Sequence, residues 1–244
     1  MKKGITKPML LLFALIAALI IVPQVKAQTG SGSIVLNPTD DACIWMEYPD
    51  NNYGAGNYIN TRNRYGHSSH PYHWEVNSLI KFDLSSVPPG ASIVSAKLHL
   101  YYYACAFNNC TGRNLSCWRI ISDWDEGTVT WNTQPSCTSV VTSYSVVPSA
   151  YGWMDWDVTS DVQAFIDAER SNYGWEMKDT TYWGNYNVPD TRFHSKEYGD
   201  YIPYLEIEIE QAPSITQWGL IALLIIMAGI ATWVVLKRRR VAAA

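Results

Sequence analysis

Ile93-Val94-Ser95-Ala96-Lys97-Leu98-His99-Leu100-Tyr101-Tyr102-Tyr103 is the stretch whose reading decides the fold. Lys97 and His99 alternate with Ala96, Leu98 and Leu100, and a period of two over that length predicts a long strand with one wet and one buried face. Working outward, Leu205, Ile207 and Ile209 alternate with Glu206, Glu208 and Glu210 in Tyr204–Glu210, a half-buried strand whose glutamates suit a sheet edge. Further strands are expected at Ala42–Tyr48, Tyr58–Arg62, Ser78–Asp83, Ser116–Ile121, Thr128–Trp131, Ser139–Val146, Gly152–Asp157 and Gly174–Met177. One helix interrupts them: Val158, Val162, Phe165 and Ile166 share a helical face, with Asp157 or Thr159 as its cap. Many short strands without βαβ alternation predict an all-β, two-sheet sandwich of jelly-roll kind with one short helix. Gln28–Ser33 and Gln211–Pro213 read as short linkers.

The two termini have a different character. Lys2, Lys3 and Lys7 precede an apolar run from Met9 to Val22 and a small-residue exit at Val25-Lys26-Ala27, the layout of a signal peptide over residues 1–27. An uncleaved anchor helix is the alternative reading. From Trp218 to Leu236 no charge occurs, and Lys237-Arg238-Arg239-Arg240 follows at once. At helical rise that run covers roughly 28 Å, the thickness of a bilayer core, and its basic end belongs in the cytoplasm. The domain between, residues 28–211, is therefore expected to be exported and to face the outside of the cell.

Eight of the 18 Lys+Arg lie in the termini, which leaves ten against all 22 Asp+Glu, a net charge of −12 for the domain. Such a surface argues against nucleic acid as a partner. All 16 tyrosines fall in this domain, an aromatic load that suits strands and flat sugar-binding faces. Export permits disulfides. Cys105, Cys110, Cys117 and Cys137 are the candidates for two bridges, with Cys43 left as the odd thiol.

Several stretches together resemble the DNRLRE domain family, also classed as a carbohydrate-binding module of jelly-roll fold. They are Asn52-Tyr53-Gly54, the run Leu79–Ala91, Trp124–Asn132, Asp157-Val158-Thr159 with Val162-Gln163, Phe193–Glu197, and Pro203-Tyr204-Leu205. The resemblance implies sugar binding, of uronic-acid polymers in some members. Residues 63–76 and 104–117 depart from the family as insertions, and loops there either build a ligand surface of their own or block the family's. Ala212–Gly219, containing Pro213, Ser214, Ile215, Trp218 and Gly219, is similar to an IPTL-type sorting signal, which implies processing by an exosortase-like membrane enzyme.

A sugar site needs a flat ring for the apolar face of a pyranose and polar groups for its hydroxyls. Tyr72, Trp74 and the run Tyr182–Asn187, with Trp183 and Tyr186, offer that mix. For an acidic sugar the cations are Arg62, Arg64, Arg192 and Lys196, and Arg62, Arg192 and Trp183 are expected to line one face. Trp124-Asp125-Glu126 reads first as packing and turn structure, with calcium held by Asp125 and Glu126 as the functional alternative. His67, His70 and His73 have zinc spacing only on a helix, and Pro71 beside them favours a loop. No nucleophile elbow or HExxH context appears, so the expectation is a non-catalytic module. A polysaccharide lyase is the enzyme alternative, and a surface-layer or fibre subunit contacting surface protein is the structural one.

Overall fold

The computed structural model describes residues 31–64, 75–183, 187–210 and 215–241. The strands there are β1 (Ser31–Leu36), β2 (Pro38–Trp45), β3 (Tyr58–Arg62), β4 (Val76–Phe82), β5 (Ile93–Ala106) and β6 (Asn114–Arg119). They continue with β7 (Ser143–Val146), β8 (Gly152–Asp157), β9 (Trp175–Asp179), β10 (Asp190–His194) and β11 (Tyr204–Glu210). Helix α1 (Thr159–Ile166) stands between β8 and β9, and α2 (Ile215–Val241) follows β11.

The strand order is β1-β11-β5-β10-β3-β4-β9-β6-β7, with β2 added on β4 and β8 on β5, and every pairing is antiparallel. The two sheets expected from the sequence are thus joined into one curled ladder. β10 and β3 carry it across, and β3 meets β4 at a single residue pair, Arg62 with Val76. The inner face closes on Leu98, Leu100, Trp156, Trp175, Phe193 and Leu205, all fully buried. A second cluster on the far side of β2 and β4 packs Ala42, Ile44 and Leu79 under Trp124 and Ile120. Burial on both faces explains why Ala42-Cys43-Ile44 is apolar without alternation.

β5 organises the molecule. Its inward residues Ala96, Leu98, Leu100 and Tyr102 are buried, and Lys97, His99, Tyr101 and Tyr103 line its outer face. β8 pairs along one side, and β11 and then β10 along the other. α1 is tied to the same strand: Thr159 Oγ1 accepts the Ala96 N–H at 2.9 Å and Gln163 Oε1 that of Ile93 at 2.8 Å. The N-cap position is Val158, and Asp157 Oδ1 accepts the Thr159 N–H at 2.9 Å.

Five expectations are corrected. Ser31–Ser33 is not linker but the start of β1, which pairs with all of β11 from Ser31↔Glu210 to Leu36↔Leu205. β11 is therefore an interior strand, not an edge. Thr128–Trp131 is a turn, because the Asp125 carbonyl takes the N–H groups of both Thr128 and Val129. Ser139–Val146 contracts to β7. Cys105 and Cys110 form a disulfide, but Cys117 and Cys137 stay reduced, as does Cys43. Cys117 points into the inner core, whereas Cys137 packs on the outer cluster and donates to Glu176 Oε2 at 2.8 Å, so the two thiols belong to opposite faces.

α2 belongs to a unit separate from the strands. Its stretch Gly219–Leu236 has a mean hydropathy of 2.6 and is long and apolar enough to cross a bilayer. Ile215, Trp218 and Gly219 lie in its first turns, while Pro213, Ser214 and residues 1–30 fall outside the described residues.

Candidate functional site

The ladder decides which rings become neighbours. Trp153 on β8 lies opposite Tyr101 on β5. Phe193 of β10 pairs with Tyr102, which brings His194 beside Tyr101, and His194 lies opposite Tyr58 of β3. Rings from four adjacent strands thus form a row across the outer face, perpendicular to the strands. Ring centroids are 5.3 Å apart from Trp153 to Tyr101 and again from Tyr101 to His194, close to the interstrand spacing. Tyr103 joins the row 4.5 Å from His194, and Tyr204 meets Trp153 edge-on at 4.9 Å.

A second layer comes from residues 195–203. Tyr198 stacks on His194 at 3.6 Å and Tyr201 on Tyr101 at 4.4 Å. The outermost rings are open to solvent: Trp153 is 41% exposed, Tyr198 46% and Tyr201 57%. Burial lowers the pKa of His194, whose Nδ1 lies 3.1 Å from the Asp200 carbonyl, so the imidazole is neutral near pH 7 and the row is uncharged. Burial likewise raises the phenols of Tyr58 and Tyr103.

At the β3 end the Arg192 guanidinium sits over the Tyr58 ring at 5.1 Å. Its Nε donates to Asp190 Oδ2 at 2.8 Å, and Asp190 Oδ1 accepts from Asn60 at 2.6 Å. A pocket of about 130 Å³ opens here, lined by Arg62 and Arg192, by Trp45, Tyr48 and Phe107, and by Glu47, Glu75, Asn60 and Asp190. Arg62 donates through Nε to the Val188 carbonyl and lies 4.2 Å from the Phe107 ring. Rings offering apolar faces beside mixed donors and acceptors suit a sugar.

The expected residues divide. Arg62 and Arg192 come together, but their aromatic companions are Trp45, Tyr48 and Phe107 rather than Trp183. Trp183 instead lies 5.6 Å from the Arg113 guanidinium, which is buried against Asp179. Arg64 is exposed. Trp74 and Tyr186, with Tyr72, His67, His70 and His73, fall outside the described residues. The ring row escaped the sequence reading because its members are far apart in the chain. The available signal was Tyr101 and Tyr103 on the wet phase of β5.

Lys196 belongs to another cluster, where the resembling stretches converge. Its ammonium pairs with Glu126 at 3.0 Å and with Glu197. Its N–H donates to Asp41 Oδ2 at 2.7 Å, and Glu126 Oε1 takes the Asp41 N–H at 2.8 Å. Asn52 Nδ2 donates to the carbonyls of Glu126 and Val129. Gly54 packs so closely that a Cβ there would stand 2.2 Å from the Glu126 oxygen. Asp125 faces its own turn, accepting the Thr128 hydroxyl at 3.1 Å. The carboxylates that do meet are Asp41, Glu126 and Glu197, within 4.8 Å, with Lys196 bonded to the latter two.

A larger open groove of about 980 Å³ runs between residues 137–142 and α1, crossed by the Arg119–Asp161 ion pair, and has no aromatic ring in its lining.

No curated protein matches the chain. A family model described as carbohydrate-binding module family 96 matches residues 33–209, which run from β1 into β11. A ring-lined outer face and a match over that whole span lead to one statement: the chain belongs to carbohydrate-binding module family 96.

Proposed function

We propose that the domain is a non-catalytic module that holds a polysaccharide on the exposed rings Trp153, Tyr198 and Tyr201, which cap the row of Tyr101 and His194 beneath them. The observation that supports this is three rings open on one face, Trp153, Tyr198 and Tyr201, carried over rings that the register of four strands aligns. Pocket residues at the β3 end supply hydroxyl partners. Asp190, Glu47 and Glu75 outnumber Arg62 and Arg192 there, which favours a hydroxyl-rich glycan over a strongly charged one. A uronic-acid polymer is the second reading, supported by the convergence of those two guanidiniums on one pocket. The same proposal places the module at the cell surface, exported by the N-terminal leader and held, until any sorting cleavage, by α2.

Isothermal titration with polygalacturonate, polymannuronate and mixed-linkage β-glucan tests both readings. Trp153→Ala and Tyr201→Ala are each expected to weaken binding about three- to tenfold, the worth of one ring contact. Wild-type affinity in both variants removes the row as the platform.

A further inference from the structure

We infer that the glycan held on the exposed rings is one that carries protonated amines, a glucosamine-type chain, and that Asp155 and Glu206 receive its ammonium groups. The inference rests on those rings being the glycan platform and names the class of sugar they take.

The register puts the two carboxylates at the border of the rings. Trp153 lies opposite Tyr101, and two residues further along β8 the same outer face presents Asp155, opposite His99. Across β5, Tyr204 also lies opposite His99, and Glu206 follows it opposite Lys97. Tyr204 meets Trp153 edge-on at 4.9 Å, so one ring contact joins the two borders. Burial first, and then the charges of Glu206 and Asp155, raise the Tyr204 phenol. Both carboxylate side chains are about half exposed, open to a ligand lying on Trp153.

This border lacks cations. On the next rungs Asp157 lies opposite Lys97 and Glu208 opposite Ser95, so among the described residues Lys97 is the single ammonium in a group of four carboxylates there. It is already paired with Asp155 at 3.4 Å. His99 adds no charge near pH 7, because burial lowers its pKa. Its Nε2 stands 3.6 Å from Glu206 Oε2 and has no hydrogen-bond partner among the described residues.

The chemistry of an amino sugar answers both features at once. Carboxylate oxygens only accept, and an ammonium brings three donors and no acceptor. A cation is also drawn to the face of an aromatic ring, most strongly to that of tryptophan. A neutral pyranose covers the rings but leaves the charge at their border unanswered, and a uronate meets charge of its own sign. An amine-bearing pyranose keeps the apolar face and supplies the missing charge.

The full chain in detergent micelles is titrated with equal-length oligomers of glucosamine, N-acetylglucosamine and glucose in one linkage, which differ only in amine, acetamide or hydroxyl at a single ring carbon. In low-salt buffer on the acid side of neutrality, the glucosamine oligomer is expected to bind about three- to tenfold more tightly than the other two, and to lose most of that lead at about 150 mM salt. Asp155→Asn combined with Glu206→Gln, near-isosteric changes at half-exposed positions, is expected to level the three affinities. Equal or weaker binding of the glucosamine oligomer, while Trp153→Ala still weakens the others, overturns the amine preference and leaves the platform standing. A lead that persists in the double variant overturns the assignment to these carboxylates. Wild-type affinity for all three oligomers in Trp153→Ala, or no binding of any of them, overturns the platform reading and this inference with it.

Discussion

Asp41 shows what one residue contributes. It is 1% exposed, and burial first, then the neighbouring Glu197 and Glu126, push its carboxyl up to about 8 despite the Lys196 N–H that it accepts. The folded state therefore holds a proton that the unfolded chain releases near pH 4, and between those values folding takes up a proton. Stability should fall as pH rises from about 4 to about 8 and flatten above that. Urea denaturation is expected to show a loss of at least about 1 kcal/mol between pH 5 and pH 8 from this group. Asp41→Asn, which keeps an acceptor for Lys196, should remove most of that slope. An unchanged slope in the variant assigns the pH dependence elsewhere. The free thiols at Cys43 and Cys137 obey the same rule, burial pushing Cys43 up to about 12 and Cys137 higher still, so neither ionises near neutral pH.

Among the elements, β9 depends on a single backbone geometry at its entrance. Gly174 has φ +79°, and a Cβ there would lie 2.0 Å from the Ile80 carbonyl oxygen of β4. Gly174→Ala should therefore cost at least about 2 kcal/mol in urea denaturation, through both strain and the forced separation of β4 from β9. A cost below 0.5 kcal/mol would show that the β4–β9 contact yields freely. Elements with alternation were legible: Gly152–Asp157 and Tyr204–Glu210 have the bounds their sequence implies, as does Tyr58–Arg62 without alternating. β1 was not, since its Ser-Gly-Ser start lacks any local strand signal and becomes extended only by pairing with β11. Thr128–Trp131 misled because its β-branched residues are held in a turn, where the hydroxyls of Thr130 and Thr133 lie 3.1 Å apart. Of the candidate site, Arg62 and Arg192 were legible as cations in search of a ring. The row itself was not, because it depends on register: only the bulge between Arg192 and Phe193 brings His194 beside Tyr101.

For the molecule as a whole, charge and ligand class are coupled. With ten basic against 22 acidic side chains, the domain repels a polyanion at long range, whatever Arg62 and Arg192 do locally. Raising salt from about 10 to about 150 mM shortens the screening length from roughly 30 to 8 Å. Affinity for polygalacturonate should therefore hold or rise, while that for mixed-linkage β-glucan should not move. Titrations at the two salt concentrations check this, and a steep fall for the polyuronate would mean that the guanidiniums dominate. The double-layered row has one more consequence. Its inner rings are built into strands that also carry the core, whereas Tyr198 and Tyr201 hang from the single connection between β10 and β11. Selection can rewrite that connection without disturbing the curled sheet beneath, so ligand preference is free to drift between relatives while foldability stays put.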